Sequence, residues 1–146
     1  EMALDLACRR ASERVAFGKP VVNLGGNRER LAEARIAIDQ ARLLVLHAAW
    51  KLDTHGDAAV EVSAIKAAVP RMAQQVIDMS LQLHGGAGMS DDFPLAGAYA
   101  TARALRLADG PDEVHLGVVA RSMLAPYRDA AAARTTASQI RTEETR

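Results

Sequence analysis

The stretch LAEARIAIDQARLLVLHAAWKL, residues 31–52, places Leu31, Ala34, Ile38, Ala41, Val45, Ala48 and Leu52 at alternating spacings of three and four. That period is the core stripe of a packed helix, because 3.6 residues complete each turn. The stripe stops at His55-Gly56, where glycine can take the left-handed cap geometry. A second stripe follows at Val62, Ile65, Val69, Met72, Val76, Met79 and Leu83, with Asp57 as the expected N-cap. Two stripes joined by so short a turn predict an antiparallel helix pair. Pro70 falls inside the second stripe and predicts a kink, since proline removes a backbone donor. The second stripe ends at Gly85-Gly86-Ala87-Gly88.

Working outward, residues 2–16 read as a helix that stops before Gly18 and Pro20. Residues 20–27 are a connection rich in Pro, Asn and Gly. Residues 89–94 read as a loop, 95–107 as a shorter helix, 108–111 as a break, and a last helix runs from about 112 to Pro126 or beyond. We expect one domain over residues 1–128 and a tail, 129–146, partly helical or disordered. The chain has 146 residues, enough for a real core. Only 3% of it is aromatic, so the core must come from Ala, Leu, Val, Ile and Met. That mixture favours an all-α class, because these side chains lose little entropy in helices. The opening Glu1-Met2-Ala3 lacks the basic-then-apolar pattern of a signal peptide and reads as the middle of a helix. A fragment of a longer chain is therefore expected.

Charge and residue usage exclude several functions. Eighteen basic and eighteen acidic residues cancel, so the basic excess of a nucleic-acid binder is missing. Cys8 stands alone, which rules out an internal disulfide. His47, His55, His84 and His115 have no metal-ligand spacing, so no metal site is expected. No apolar run approaches the roughly 18 residues of a membrane span. No nucleophile elbow supports hydrolase chemistry.

Three segments could carry chemistry. Ala108-Asp109-Gly110-Pro111-Asp112-Glu113-Val114-His115 sets a carboxylate and a glycine in a break between apolar segments. If that break is buried, Asp109 can serve as a general base; otherwise it is a cap or first-turn acid, as helix starts favour. Gly85–Gly88 is either a helix C-cap or a place where a cofactor or another chain meets the backbone closely. Arg14 and Phe17 are either a solvated charge and a core ring, or a guanidinium for phosphate and a ring for adenine.

Taken together, Arg14-Val15-Ala16-Phe17-Gly18-Lys19, Gln82-Leu83-His84-Gly85-Gly86 and the 108–115 segment resemble the C-terminal domain of the acyl-CoA dehydrogenases, in order and separation. The wording around Asp109 resembles a subgroup fused to a kinase-like domain in mammals. The resemblance implies an up-and-down four-helix-type bundle. It implies FAD as cofactor, with Arg14, Phe17, Gln82, Gly85, Gly86 and Gly110 as flavin-binding residues. Arg14 and Phe17 would touch the flavin of a neighbouring subunit. The family's catalytic loop is commonly Glu-Gly-Thr with Gln shortly after; here it reads Asp109-Gly110-Pro111-Asp112-Glu113, a carboxylate shorter by one methylene.

Asp109 would then be the base that takes the α-proton of an acyl-CoA thioester, giving a trans-2-enoyl-CoA. Some family members place the base on an earlier helix. The implied partners are the acyl-CoA substrate, electron-transfer flavoprotein or a similar acceptor, and further copies of the chain in a homodimer or homotetramer. A bacterial source would make it cytoplasmic. The family's other two domains are missing, so the piece by itself should be inactive. The alternative is a non-catalytic assembly subunit of a related complex.

Overall fold

The computed structural model describes the backbone of residues 1–143 and side chains through residue 128. Its organising element is α3, Ala59–His84, against which α1 (Met2–Glu13), α2 (Asn27–His55), α4 (Leu95–Ala104) and α5 (Asp112–Glu143) all pack. Among the described residues the result is a mostly helical bundle of five α-helices. A helix with neighbours on several sides must be small or apolar on several sides. Accordingly α3 buries Ala67, Pro70, Val76 and Ile77, and also Ser63, Gln74, Ser80 and His84. The core joins Ala3 and Leu4 of α1, Ala34 and Ile38 of α2, Val76 and Ile77 of α3, and Leu95 and Ala102 of α4. Alanine at these crossings lets helix axes approach closely. Leu95, fully buried, anchors the start of α4. Burying such a side chain is worth about 1.5–3 kcal/mol.

The α2–α3 turn follows the expected chemistry. Gly56 adopts φ 72° and its N–H bonds Leu52 O at 2.9 Å. Asp57 Oδ1 accepts the amide of Ala59 at 3.0 Å, although the N-cap position itself falls on Ala58. Lys51 and Glu61 pair at 2.6 Å across the turn. Hydrogen bonding from Lys51 holds the Glu61 carboxyl below its ordinary value. Pro70 lies buried inside an uninterrupted α3. It leaves the carbonyl of Lys66 without its helical donor.

Two helix ends and the buried face of α2 differ from expectation. The first helix ends at Glu13, not at residue 16. Val15–Ala16 (β1) and Lys19–Pro20 (β2) form a small antiparallel hairpin, pairing Val15 with Pro20 and Ala16 with Lys19. Its two-residue loop, Phe17 at φ 51° and Gly18 at φ 77°, has the positive dihedrals of hairpin turns. Proline also pushes the residue before it out of the helical region. On α2, Val45 and Leu52 are exposed rather than core, while Ala34, Ile38 and Ala48 are buried. Periodicity locates an apolar face but cannot tell which part of a 29-residue helix finds a neighbour. The fourth helix stops at Ala104, and turns carry the chain through residues 105–109. The fifth helix passes through Pro126. Residues 144–146 of the expected tail lie outside the described residues.

Candidate functional site

The break between α4 and α5 is built on two consecutive left-handed residues, Asp109 at φ 53° and Gly110 at φ 100°. The left-handed conformation costs an L-residue about 1–2 kcal/mol, and Asp is among the side chains that tolerate it. Several bonds hold the segment there. The Asp112 amide bonds Arg106 O at 3.2 Å, and His115 Nε2 donates to Asp109 O at 3.2 Å. Lys66 Nζ, from α3, donates to the carbonyls of Leu105 at 2.5 Å and Gly110 at 3.3 Å. Gly110 takes φ 100°, which L side chains rarely adopt, so backbone conformation accounts for its glycine; an added Cβ would also stand 3.1 Å from His115 Nε2.

Two acids of this segment have opposite surroundings. Asp112 is buried, and its Oδ2 accepts Arg71 Nε at 3.0 Å and Arg106 Nε at 2.8 Å. Arg106 also donates to Gln74 Oε1 at 3.0 Å. Burial pushes the Asp112 carboxyl up, but hydrogen bonds from Arg106 and Arg71 outweigh it and hold the group below its ordinary value. Asp109 is exposed, and its carboxylate has no hydrogen-bond partner among the described residues. The break therefore sits on the surface of the single chain, and the buried acid is Asp112. Only the acid with two guanidinium partners can afford to leave water.

A second constellation lies at the other end of α3. A cavity of about 790 Å³ is lined by Arg10 and Arg14 from the end of α1, Arg30 from α2, and Gln82, Gly85 and Gly86 from the end of α3. Asn27 Nδ2 donates to Val21 O at 2.8 Å and seats the first turn of α2 against the hairpin exit. Gly85 takes φ 64° and ψ −143°, a region essentially closed to other residues. Gly86 has an ordinary φ and nothing within 4 Å of an added Cβ, so the fold of one chain does not require glycine there. Beneath the shelf, His84 is buried, donates from Nδ1 to Ser80 O at 2.8 Å, and meets Phe93 edge-on at 4.5 Å.

The structure thus gathers Arg14, Gln82, Gly85 and Gly86 around one cavity. It leaves Phe17 at the hairpin tip, 95% exposed, outside that lining. It does not bring Asp109 and Gly110 to the same place. Their anchor Lys66 is sixteen residues from Gln82, about 24 Å along the axis of α3. The residues that sequence reasoning missed are Lys66, Arg71, Gln74 and Arg106, which grip the break, and Arg10 and Arg30, which make the cavity cationic. For Lys66, Arg71 and Gln74 the signal was polarity within or beside the apolar stripe of α3; Arg10, Arg30 and Arg106, on other segments, carried none. Among the described residues no cluster of His, Cys, Asp and Glu could hold a metal ion. No described helix is long and apolar enough to cross a membrane.

Residues 1–124 match the family model described as acyl-CoA dehydrogenase, C-terminal domain. The chain is 48% identical over 138 residues to acyl-CoA dehydrogenase FadE2 of Mycobacterium tuberculosis, covering 93% of this chain and 34% of that protein. It is 48% identical over 122 residues to the human acyl-CoA dehydrogenase family member 11, covering 82% of this chain and 16% of that protein. Among solved structures, a Mycobacterium abscessus protein described as an acyl-CoA dehydrogenase superposes with a TM-score of 0.84 and 71% identity, over 86% of this chain and 31% of that one. The chain therefore spans about a third or less of the length of these relatives. On the match over residues 1–124, the chain belongs to the acyl-CoA dehydrogenase family, as its C-terminal domain.

Proposed function

We propose that this chain is the C-terminal helical domain of an FAD-dependent acyl-CoA dehydrogenase, which converts acyl-CoA thioesters to trans-2-enoyl-CoA. The observation that carries this reading is the convergence of Arg14, Gln82, Gly85 and Gly86 on one cationic cavity. The cavity fits the flavin's diphosphate in chemistry. Arg10, Arg14 and Arg30 supply guanidinium donors for phosphate oxygens, and the open Gly86 permits close approach to backbone. Bound there, FAD would supply the hydride acceptor. Phe17, unpacked on its own chain, is available to stack on a group held mostly by a neighbour.

The distance along α3 between Lys66 and Gln82 supports a flavin shared between chains. One end of each domain would serve its own catalytic centre, and the other end a sister subunit's. We therefore place the chain in a homodimer or homotetramer. Its substrate is an acyl-CoA, and its electron acceptor is electron-transfer flavoprotein or a similar protein. Asp109 is the base: its carboxylate removes the α-proton while hydrogen bonds to the thioester carbonyl acidify that carbon. Without the remaining domains the chain has no turnover.

The exposure of Asp109 favours one rival, a non-catalytic assembly subunit. Asp109→Asn, in the longer polypeptide that carries this domain, separates the two. Turnover of butyryl-CoA and palmitoyl-CoA falls by about a hundred- to ten-thousandfold with flavin still bound if Asp109 is the base. Undiminished turnover removes Asp109 from the chemistry.

A further inference from the structure

We propose that Lys66 is the positioning residue of the catalytic segment: by bonding the carbonyls of Leu105 and Gly110 it fixes the left-handed backbone at Asp109, and the Asp112 pair with Arg71 and Arg106 is its second anchor. This rests on Asp109 being the base.

Three observations support the assignment. Lys66 makes no ion pair among the described residues; both its contacts are backbone carbonyls, five residues apart, one at the end of α4 and one within the break. Leu105 is the C-cap residue of α4, where a cation is favoured by the exposed carbonyl end of the helix. One ammonium thus caps α4 and hooks Gly110, so the strained turn is closed onto α3. At the far side, Asp112 is bound to Arg71 of α3 and to Arg106 of the same segment. The residue between these anchors, Asp109, has its carbonyl bonded to His115 and its carboxylate without a partner. Its backbone is therefore fixed while its side chain stays available. An aspartate reaches one methylene less far than glutamate, so its placement depends more on the backbone. Ångström-scale misplacement of a reacting group can cost on the order of a hundredfold in rate.

The test uses the full-length flavoprotein carrying Lys66→Met, Lys66→Arg, Arg71→Gln or Asp109→Asn, with butyryl-CoA and palmitoyl-CoA and a soluble ferricenium acceptor. Flavin content, melting temperature and hydrogen exchange of the peptide spanning 105–112 are measured on each. Lys66→Met is expected to lower kcat by about ten- to a hundredfold. KM and flavin content should stay unchanged, the melting temperature should fall only slightly, and exchange across 105–112 should quicken. Lys66→Arg should restore most of kcat, and Arg71→Gln should quicken the same exchange. If Lys66→Met keeps kcat while Asp109→Asn is dead, positioning by Lys66 is wrong and the base assignment stands. If its kcat falls only in step with lost flavin or lost stability, the role is structural and the proposal is overturned. If Asp109→Asn keeps turnover, the base assignment fails and with it the catalytic part of this proposal. Unchanged exchange in Lys66→Met then overturns the clamp as well, and quickened exchange sustains it as a backbone restraint.

Discussion

Asp109 and Asp112 stand three residues apart and do different work because their partners differ. Asp112 is buried between two guanidinium groups that hold its carboxyl below the ordinary value, against the upward push of burial. A carboxyl lowered on folding contributes stability that is present above its ordinary value. That contribution is lost as pH falls through the lowered one. Stability should therefore drop with acidification below the usual Asp range. In Asp112→Asn the slope in that range should be shallower and the neutral-pH stability lower, since two arginines lose their partner. Urea unfolding across an acid pH series measures both. The position of Asp109 in a break was legible in the sequence, because Gly110-Pro111 announces one. Which of the nearby acids is buried was not, because Arg71 lies 41 residues from Asp112 in sequence.

At the scale of elements, the turn that follows α3 shows how a glycine run divides its tasks. Gly85 ends the helix in a conformation closed to other residues. Gly88 is buried, and a Cβ there would lie 3.0 Å from His84 Cβ and 3.1 Å from Leu81 O. Backbone cannot yield as a flexible side chain can. Gly88→Ala should cost about 1–3 kcal/mol, the usual range for overpacking a tight site, seen as a lower denaturant midpoint. Gly86→Ala should leave that midpoint nearly unchanged, since its Cβ would meet nothing. The helix pair, its turn at Gly56 and the helix end at Gly85 were readable from period and cap chemistry alone. The hairpin at residues 15–20 was not. A two-residue strand offers no periodicity, and the preceding amphipathic run looks helical until the tight loop at Phe17-Gly18 is seen.

For the molecule as a whole, the notable surface is α2. Leu43, Leu46 and Trp50 are 66%, 57% and 55% exposed at spacings of three and four, so they share one outward face. Exposed apolar side chains on one helix face are the kind of surface through which the proposed oligomer would assemble. Replacing Leu46 and Trp50 with Gln and Arg should shift the full-length protein toward smaller species by analytical ultracentrifugation. The melting temperature of the isolated chain should move little, because neither residue contributes to its core. An unaltered oligomer would place the subunit interface elsewhere.

Local chemistry, legible in the chain, determined the existence of the helices, the glycine ends of α2 and α3, the break at Asp109 and the glycine shelf at Gly85-Gly86. Period, caps and turn residues act over a few neighbours, and the order and separation of three such segments were enough to indicate the family. Only the tertiary structure decided that α3 is the hub, that Asp112 rather than Asp109 leaves water, and that Lys66 grips the break. It also set the cavity of Arg14, Gln82 and Gly86 far along α3 from Asp109. Those facts depend on side chains that meet from tens of residues apart, and no local pattern encodes which distant partner a buried charge will find.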